Sequence, residues 1–216
     1  LRRKKGGPDL ESKGYFDEVA QNWDRMRKSF FSESVREKAF SLAKVEKGKL
    51  AADIGAGTGF ITEGLIKRGL KVIAVDQSPE MLREMRKKFP NSEALDLRLG
   101  QAERLPLENE TVDYVFANMF LHHVEDPPSA IKEMARILKP GGILVITDLD
   151  RHDFNFLRIE QFDRWMGFER EEVLKWLKEA GLKEANITCT GEDCCSKSTQ
   201  GEEKAPISIF AASGRK

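Results

Sequence analysis

Three glycines at alternate positions follow an acidic residue in the run Asp53-Ile54-Gly55-Ala56-Gly57-Thr58-Gly59. They stand where an apolar, β-rich run ends and an amphipathic pattern begins. At such a strand-to-helix turn, glycine tolerates a left-handed backbone and lets a ligand approach with no Cβ in its way. A second apolar run ends at Asp76, 21 residues beyond Gly55. A carboxylate at that strand end can accept hydrogen bonds from both hydroxyls of a ribose. The two signals together point to an adenosine-containing ligand at the carboxyl edge of a parallel sheet. A dinucleotide loop would read G-x-G-x-x-G, but Phe60 stands where that pattern wants its third glycine. Asp53 would also repel a pyrophosphate, whereas the same carboxylate can orient an ammonium group. His122, His123 and His152 are the only histidines. The adjacent pair follows the fourth apolar run and His152 follows the fifth, so all three are expected at the ligand edge as candidate general bases.

These groups need a scaffold, and the pattern supplies one. Tyr15 to Ala43 reads as helical, with Phe16, Val19, Ala20 and Trp23 on one face. Strands are expected at 49–54, 71–76, 95–100, 112–118 and 143–149, separated by helices at 60–68, 79–89 and 128–138. Pro79 and Pro128 mark first turns. The fifth strand is almost continuously apolar, as in a central strand buried on both faces. Helices at 154–165 and 170–180 follow, then strands at 184–190 and 207–213 with no helix between them. The expectation is one α/β domain with a doubly wound, mostly parallel, seven-stranded sheet and a final antiparallel hairpin. Residues 1–12 read as a flexible basic tail, 13–216 as the domain, and 13–47 as a helical lid.

The motifs resemble, as a set, the class I S-adenosylmethionine methyltransferases, in the small-molecule branch that includes the ubiquinone and menaquinone methyltransferases. The likeness is close over residues 15–149 and holds in outline beyond. It implies a Rossmann-like methyltransferase fold and S-adenosylmethionine as cofactor. Tyr15 and Trp23 fall in the leading helix that lies over the cofactor in this family. Asp53, Gly55, Gly57 and Gly59 form the cofactor loop, and Asp76 and Gln77 the ribose segment, with Met81 beside the adenine. Gln101 and Ala102 match the adenine-edge segment, with Gln101 where the family generally carries Asp; an amide oxygen can still accept from the adenine amino group. Asn118 opens the segment after the fourth strand. The run Asp126-Pro127-Pro128 imitates an amino-methylation motif, but it lies too far beyond Asn118 and reads as a helix start. Methyl transfer from a sulfonium depends chiefly on positioning. A base is needed where the acceptor is a hydroxyl, or a carbon acidified by one. The 148–165 segment is expected to wall the acceptor pocket.

Composition narrows the classes. Lys plus Arg and Asp plus Glu each total 36, so the basic excess of a nucleic-acid binder is missing. No run approaches the roughly 18 apolar residues of a membrane span. Cys189, Cys194 and Cys195 make no disulfide framework, which points to the cytoplasm. They lack the C-x-x-C spacing of a zinc site, and no metal ligand is assigned. Three thiols near the active edge could hold a soft metal or metalloid acceptor. The expected partner is a small-molecule methyl acceptor of unread identity. A cofactor-binding regulator without turnover and a nicotinamide dehydrogenase stay open as alternatives.

Overall fold

Alternation of side chains across each strand sets the architecture. In β4 (Val112–Asn118), Tyr114 and Phe116 enter one buried cluster while Val115 and Ala117 enter the other. The sheet is therefore covered on both faces. The computed structural model describes residues 8–28, 30–197 and 204–216. Its seven strands run in the order β3-β2-β1-β4-β5-β7-β6. They are β1 (Leu50–Ile54), β2 (Lys71–Asp76), β3 (Leu95–Leu99), β4, β5 (Leu138–Leu149), β6 (Lys183–Lys197) and β7 (Lys204–Arg215). The strands β1 to β5 pair in parallel, and β7 is antiparallel to both β5 and β6. The doubly wound sheet and its terminal antiparallel pair are as the sequence predicts. Helices α3 (Glu33–Ala43), α4 (Phe60–Lys67) and α5 (Pro79–Lys88) cover one face, and α6 (Pro127–Ile137) and α8 (Arg170–Glu179) the other.

The N-terminal region departs from the sequence reading. Helix α1 (Pro8–Val19) already begins inside the expected basic tail, whose residues 1–7 lie outside the described residues. The stretch that reads as helical over 15–43 forms not one helix but α1, a 3₁₀ turn at Ala20–Asn22, α2 (Trp23–Arg27) and α3. Ser32 starts α3 by accepting a hydrogen bond from Ser34 N–H, as an N-cap does. Val35, Ala39, Phe40 and Ala43 of α3 are buried in the core, with the Phe40 ring edge-on to Phe116 at 5.3 Å. Within the segment read as a lid over 13–47, α3 therefore packs in the core.

Two further differences reshape the active edge. The helix expected over 154–165 is only α7 (Asn155–Glu160). Phe162 then takes a left-handed φ of 59°, and Arg164 and Trp165 N–H both donate to the His122 carbonyl. The last two strands are also much longer than expected, because pairing runs past Leu149 of β5. Cys194 pairs opposite Ile207 and Cys195 opposite Pro206, so both sit in β6, beyond the expected end of that strand at 190. Antiparallel to β7, β6 runs parallel to β5, and its far half rises over the carboxyl edge.

Candidate active site

The site is built where β1, β2, β4 and β5 end. Register pairs Ile54 with Val75 and Ala117, and Asn118 with Thr147, which aligns the four strand ends. Gly55 and Gly57 have φ of 67° and 53°, left-handed values that favour glycine. A Cβ on Gly55 would lie 2.1 Å from Phe120 Cδ2, so that ring rests directly on the loop. A Cβ on Gly57 would meet only the Trp23 ring, nearest at Nε1, 3.5 Å away. Gly59 differs, since its Cβ would meet Met85 and Phe89. That glycine faces α5 and N-caps α4, so it does not line the ligand space.

Asp76 ties the loop to its strand. Its Oδ2 accepts from Gly57 N–H at 2.7 Å, and its Oδ1 from Ser78 N–H at 2.8 Å. Burial pushes its pKa up, against the pull of those N–H groups. Asp53 is 1% exposed and accepts from both the backbone N–H and hydroxyl of Thr62, in the first turn of α4. A carboxylate at that position suits the positive end of the helix. Burial nevertheless raises Asp53 to about 7, the Thr62 bonds opposing.

Two cavities meet at Phe120. One, of about 350 Å³, is lined by Asp76, Gln77, Gln101, Ala102 and Asp126. The other, of about 60 Å³, runs over Gly57 beneath Phe16 and Trp23 to Arg27, with Asp53, Met81 and Asn118 in its wall. Gly55, Asp76, Gln77, Phe120 and His123 line both. Asn118 also accepts from the Thr147 hydroxyl at 2.7 Å. The residue after it, Met119, has a φ of 49°, and such strain at a non-glycine residue marks a constrained turn. Asp126 caps α6 through Ser129 N–H, so the imitation motif is a helix start.

A third space, of about 50 Å³, lies between Trp23 and Phe30 on one side and Met119, Leu149 and Leu157 on the other. Its polar end is His122, His123 and Asp163, with Cys194 in the wall. Asp148, fully buried at the end of β5, organises this end. It accepts from the N–H groups of Phe120, Leu121 and Leu149, and from His122 Nδ1 at 2.7 Å. Burial disfavours a charged His122, but Asp148 and then Asp163 outweigh it and hold the ring up to about 9. His123 is held well below its ordinary range by burial and by its neighbour His122. Its Nδ1 is buried without a hydrogen-bond partner. Burial raises Asp163 to about 6.

The predicted residues are therefore only partly gathered. His152 lies apart from these cavities: its Nδ1 accepts from Phe154 N–H at 3.3 Å, and burial lowers it to about 4. Tyr15 also points elsewhere, donating to Gln161 Oε1 at 2.8 Å and packing on Phe162. Through it the leading helix closes onto the 160s segment rather than onto the cofactor loop. Phe16 takes that place, edge-on to both Trp23 and His123. Sequence reasoning missed Arg27 and Phe120, and it reached Asp148 and Asp163 only as members of the 148–165 segment, of which Leu149, Leu157, Gln161 and Asp163 line the third space. Arg27 is 7% exposed, its guanidinium lies 4.0 Å over the Phe60 ring, and its Nε has no partner. Its spacing four residues after Trp23 was the available signal, since it puts both on one helical face.

Comparison with known proteins is consistent with this geometry. A methyltransferase domain model matches residues 52–146. The demethylmenaquinone methyltransferase of Thermobifida fusca is 31% identical over 167 residues, covering 75% of this chain and 69% of its own. A 2-methyl-6-phytyl-1,4-hydroquinone methyltransferase of Oryza sativa is 33% identical over 165 residues, covering 74% of this chain and 47% of its own. An uncharacterized methyltransferase of Mycobacterium tuberculosis is 41% identical over 129 residues, or 60% and 44% of the two chains. The chain thus spans less than half the length of the last two. Among solved structures, a putative methyltransferase of Haloferax volcanii, in complex with the Trm112 activator, superposes with a TM-score of 0.75 at 20% identity. That match covers 93% and 96% of the two chains. At that identity the likeness bears on the fold alone.

Proposed function

The chain belongs to the methyltransferase family, and from that premise we propose that it moves a methyl group from S-adenosylmethionine to a small apolar acceptor bearing a ring hydroxyl. The observation that carries this reading is Asp76, which lines both cavities while holding Gly57 N–H. A ribose at that carboxylate puts the adenine toward Gln101 and Ala102 and the methionyl chain past Gly57. The chain's far end then meets Asp53 and Arg27, which offer a carboxylate to the cofactor's ammonium and a guanidinium to its carboxylate. The buried Nε of Arg27, which has no hydrogen-bond partner, supports that role.

The acceptor lies in the third space, with its ring between Trp23 and the aliphatic wall and its hydroxyl at the His122–His123–Asp163 end. Activation of that hydroxyl belongs to this end and not to His152. Phe16 and Trp23 close over the join and exclude water from the sulfonium. The quinol-type relatives support the choice of a ring hydroxyl, or of a ring carbon acidified by one. In the described residues no helix is long and apolar enough to cross a membrane. The free thiol of Cys189 supports a reducing cytoplasm as the compartment. A screen with radiolabelled cofactor over phenols, quinols, thiols and arsenite tests the assignment. Label should move to a phenol or quinol and fail to move with Asp76→Ala. Transfer confined to thiols or arsenite would refute the ring-hydroxyl reading, and absence of any transfer would favour a cofactor-binding regulator.

A further inference from the structure

The polar end of the acceptor space has a geometry that hydrogen bonding leaves unexplained. Asp163 Oδ1 stands 3.7 Å from His122 Nε2 and 3.9 Å from His123 Nδ1, and the three ligand-type atoms lie within 4.8 Å of one another. Those separations are too long for hydrogen bonds. The two distances to Asp163 are about half an ångström longer than the ~3.3 Å between neighbouring ligands of a tetrahedral ion bonded at about 2.0–2.1 Å. All three side chains are under a tenth exposed, and the His123 Nδ1 aimed into the gap has no partner. We propose that His122 Nε2, His123 Nδ1 and the Asp163 carboxylate bind a divalent transition ion of the zinc class, with an open coordination position facing the acceptor space. The inference rests on the methyltransferase reading only for what fills that open position: the acceptor's oxygen.

Three further considerations agree. Asp148 accepts from His122 Nδ1 at 2.7 Å, which keeps the proton on Nδ1 and aims Nε2 at the gap, where an ion would displace the second proton of the ring. A carboxylate behind a ligating imidazole is the usual way of orienting such a ligand. Charge also balances: two buried carboxylates, Asp148 and Asp163, face two imidazoles that are neutral when they ligate, so a divalent ion brings the cluster to zero. An unbalanced buried charge would be costly. Finally, three protein ligands with one open side is the pattern of ion sites that act on substrates, and two nitrogens with one carboxylate suit zinc or cobalt better than calcium or magnesium. Such an ion would add its own polarisation of the acceptor's hydroxyl. The signal was invisible along the sequence, because Asp163 lies 40 residues from His123.

Cobalt(II) serves as the probe, because its visible d–d bands report tetrahedral or five-coordinate binding without reference to activity. One equivalent added to the metal-free chain should produce these bands. Asp163→Asn keeps the side-chain shape and His123→Gln stays polar and similar in size; both should weaken cobalt binding at least tenfold, with far-UV circular dichroism unchanged. Absence of bands at one equivalent would overturn the proposal, as would bands that persist equally in both variants. Titration of the same chain with S-adenosylhomocysteine reads the cofactor assignment separately. A chain that binds cobalt but not S-adenosylhomocysteine keeps the ion site and removes the methyltransferase reading.

Discussion

Cofactor binding should carry a pH signature that comes from Asp53. Its carboxyl is 1% exposed and its pKa is raised from 3.8 to about 7 by burial, with Asp76 as the neighbouring like charge. A cofactor ammonium beside it stabilises the ionised form, so binding expels a proton whenever the free chain holds one. The sign follows: in the free protein the group is mostly neutral below pH 7, and binding must then meet the cost of ionising it. From pH 6 to pH 8 the ionised fraction rises from about 9% to about 91%, so affinity should increase about tenfold and flatten above pH 8. Calorimetry of S-adenosylmethionine binding in two buffers of different ionisation enthalpy reads both the affinity and the proton released. In Asp53→Asn the amide oxygen can still accept both Thr62 bonds, so the fold should hold while the pH dependence disappears. A wild-type affinity that is flat from pH 6 to 8, or a variant with unchanged slope, would refute this role for Asp53.

Four other expectations follow from the same geometry. Gly55→Ala places a Cβ within the Phe120 ring at a φ of 67°, whereas Gly141→Ala, at φ 80°, meets nothing within 4 Å. Both should lose about 1 kcal/mol or more through backbone strain, but only the first should also lose S-adenosylhomocysteine binding, read by thermal shift. Asp76→Ala removes the ribose bonds together with the anchors of Gly57 and Ser78, and should weaken the cofactor more than tenfold in calorimetry, since charge-assisted bonds contribute about 1.5–3 kcal/mol each. Asp148→Ala strips a buried acceptor from three N–H groups and His122, and should cost about 3–5 kcal/mol in urea unfolding. Tyr15→Phe should raise hydrogen exchange over 14–27 by loosening the contact with Gln161, while leaving cofactor affinity within about twofold, given that one hydrogen bond is worth about 1 kcal/mol.

Legibility in the sequence followed the range of the interactions involved. The glycine loop, Asp76 and the parallel strands are local signals, since a strand's side-chain alternation and a turn's glycines are written in neighbouring residues. The broken N-terminal helix was missed because periodicity continues through the 3₁₀ turn at Ala20–Asn22, and the break shows only as a change of packing partner. Gly59 was assigned to the ligand by its place in the loop, but its partner is α5, 26 residues downstream at Met85. The segment at 161–165 could not be read as a turn, because Phe162 adopts a conformation rare for an aromatic residue and is held there by tertiary contacts. His152 and the His122–His123 pair looked equivalent along the chain. They separate only when Asp148 selects His122 and when Phe154 N–H occupies His152. Cys194 and Cys195 fall between the strands expected at 184–190 and 207–213, because the hairpin's extension beyond Leu149 depends on cross-strand pairing that no local pattern encodes.

Calorimetric titration of the chain with S-adenosylhomocysteine, set beside NAD, tests the central claim most directly. The geometry of Asp76, Gly57 and Arg27 predicts one site per chain for S-adenosylhomocysteine, lost in Asp76→Ala, and no heat from NAD. Binding of NAD, or no binding of S-adenosylhomocysteine by folded protein, would contradict it.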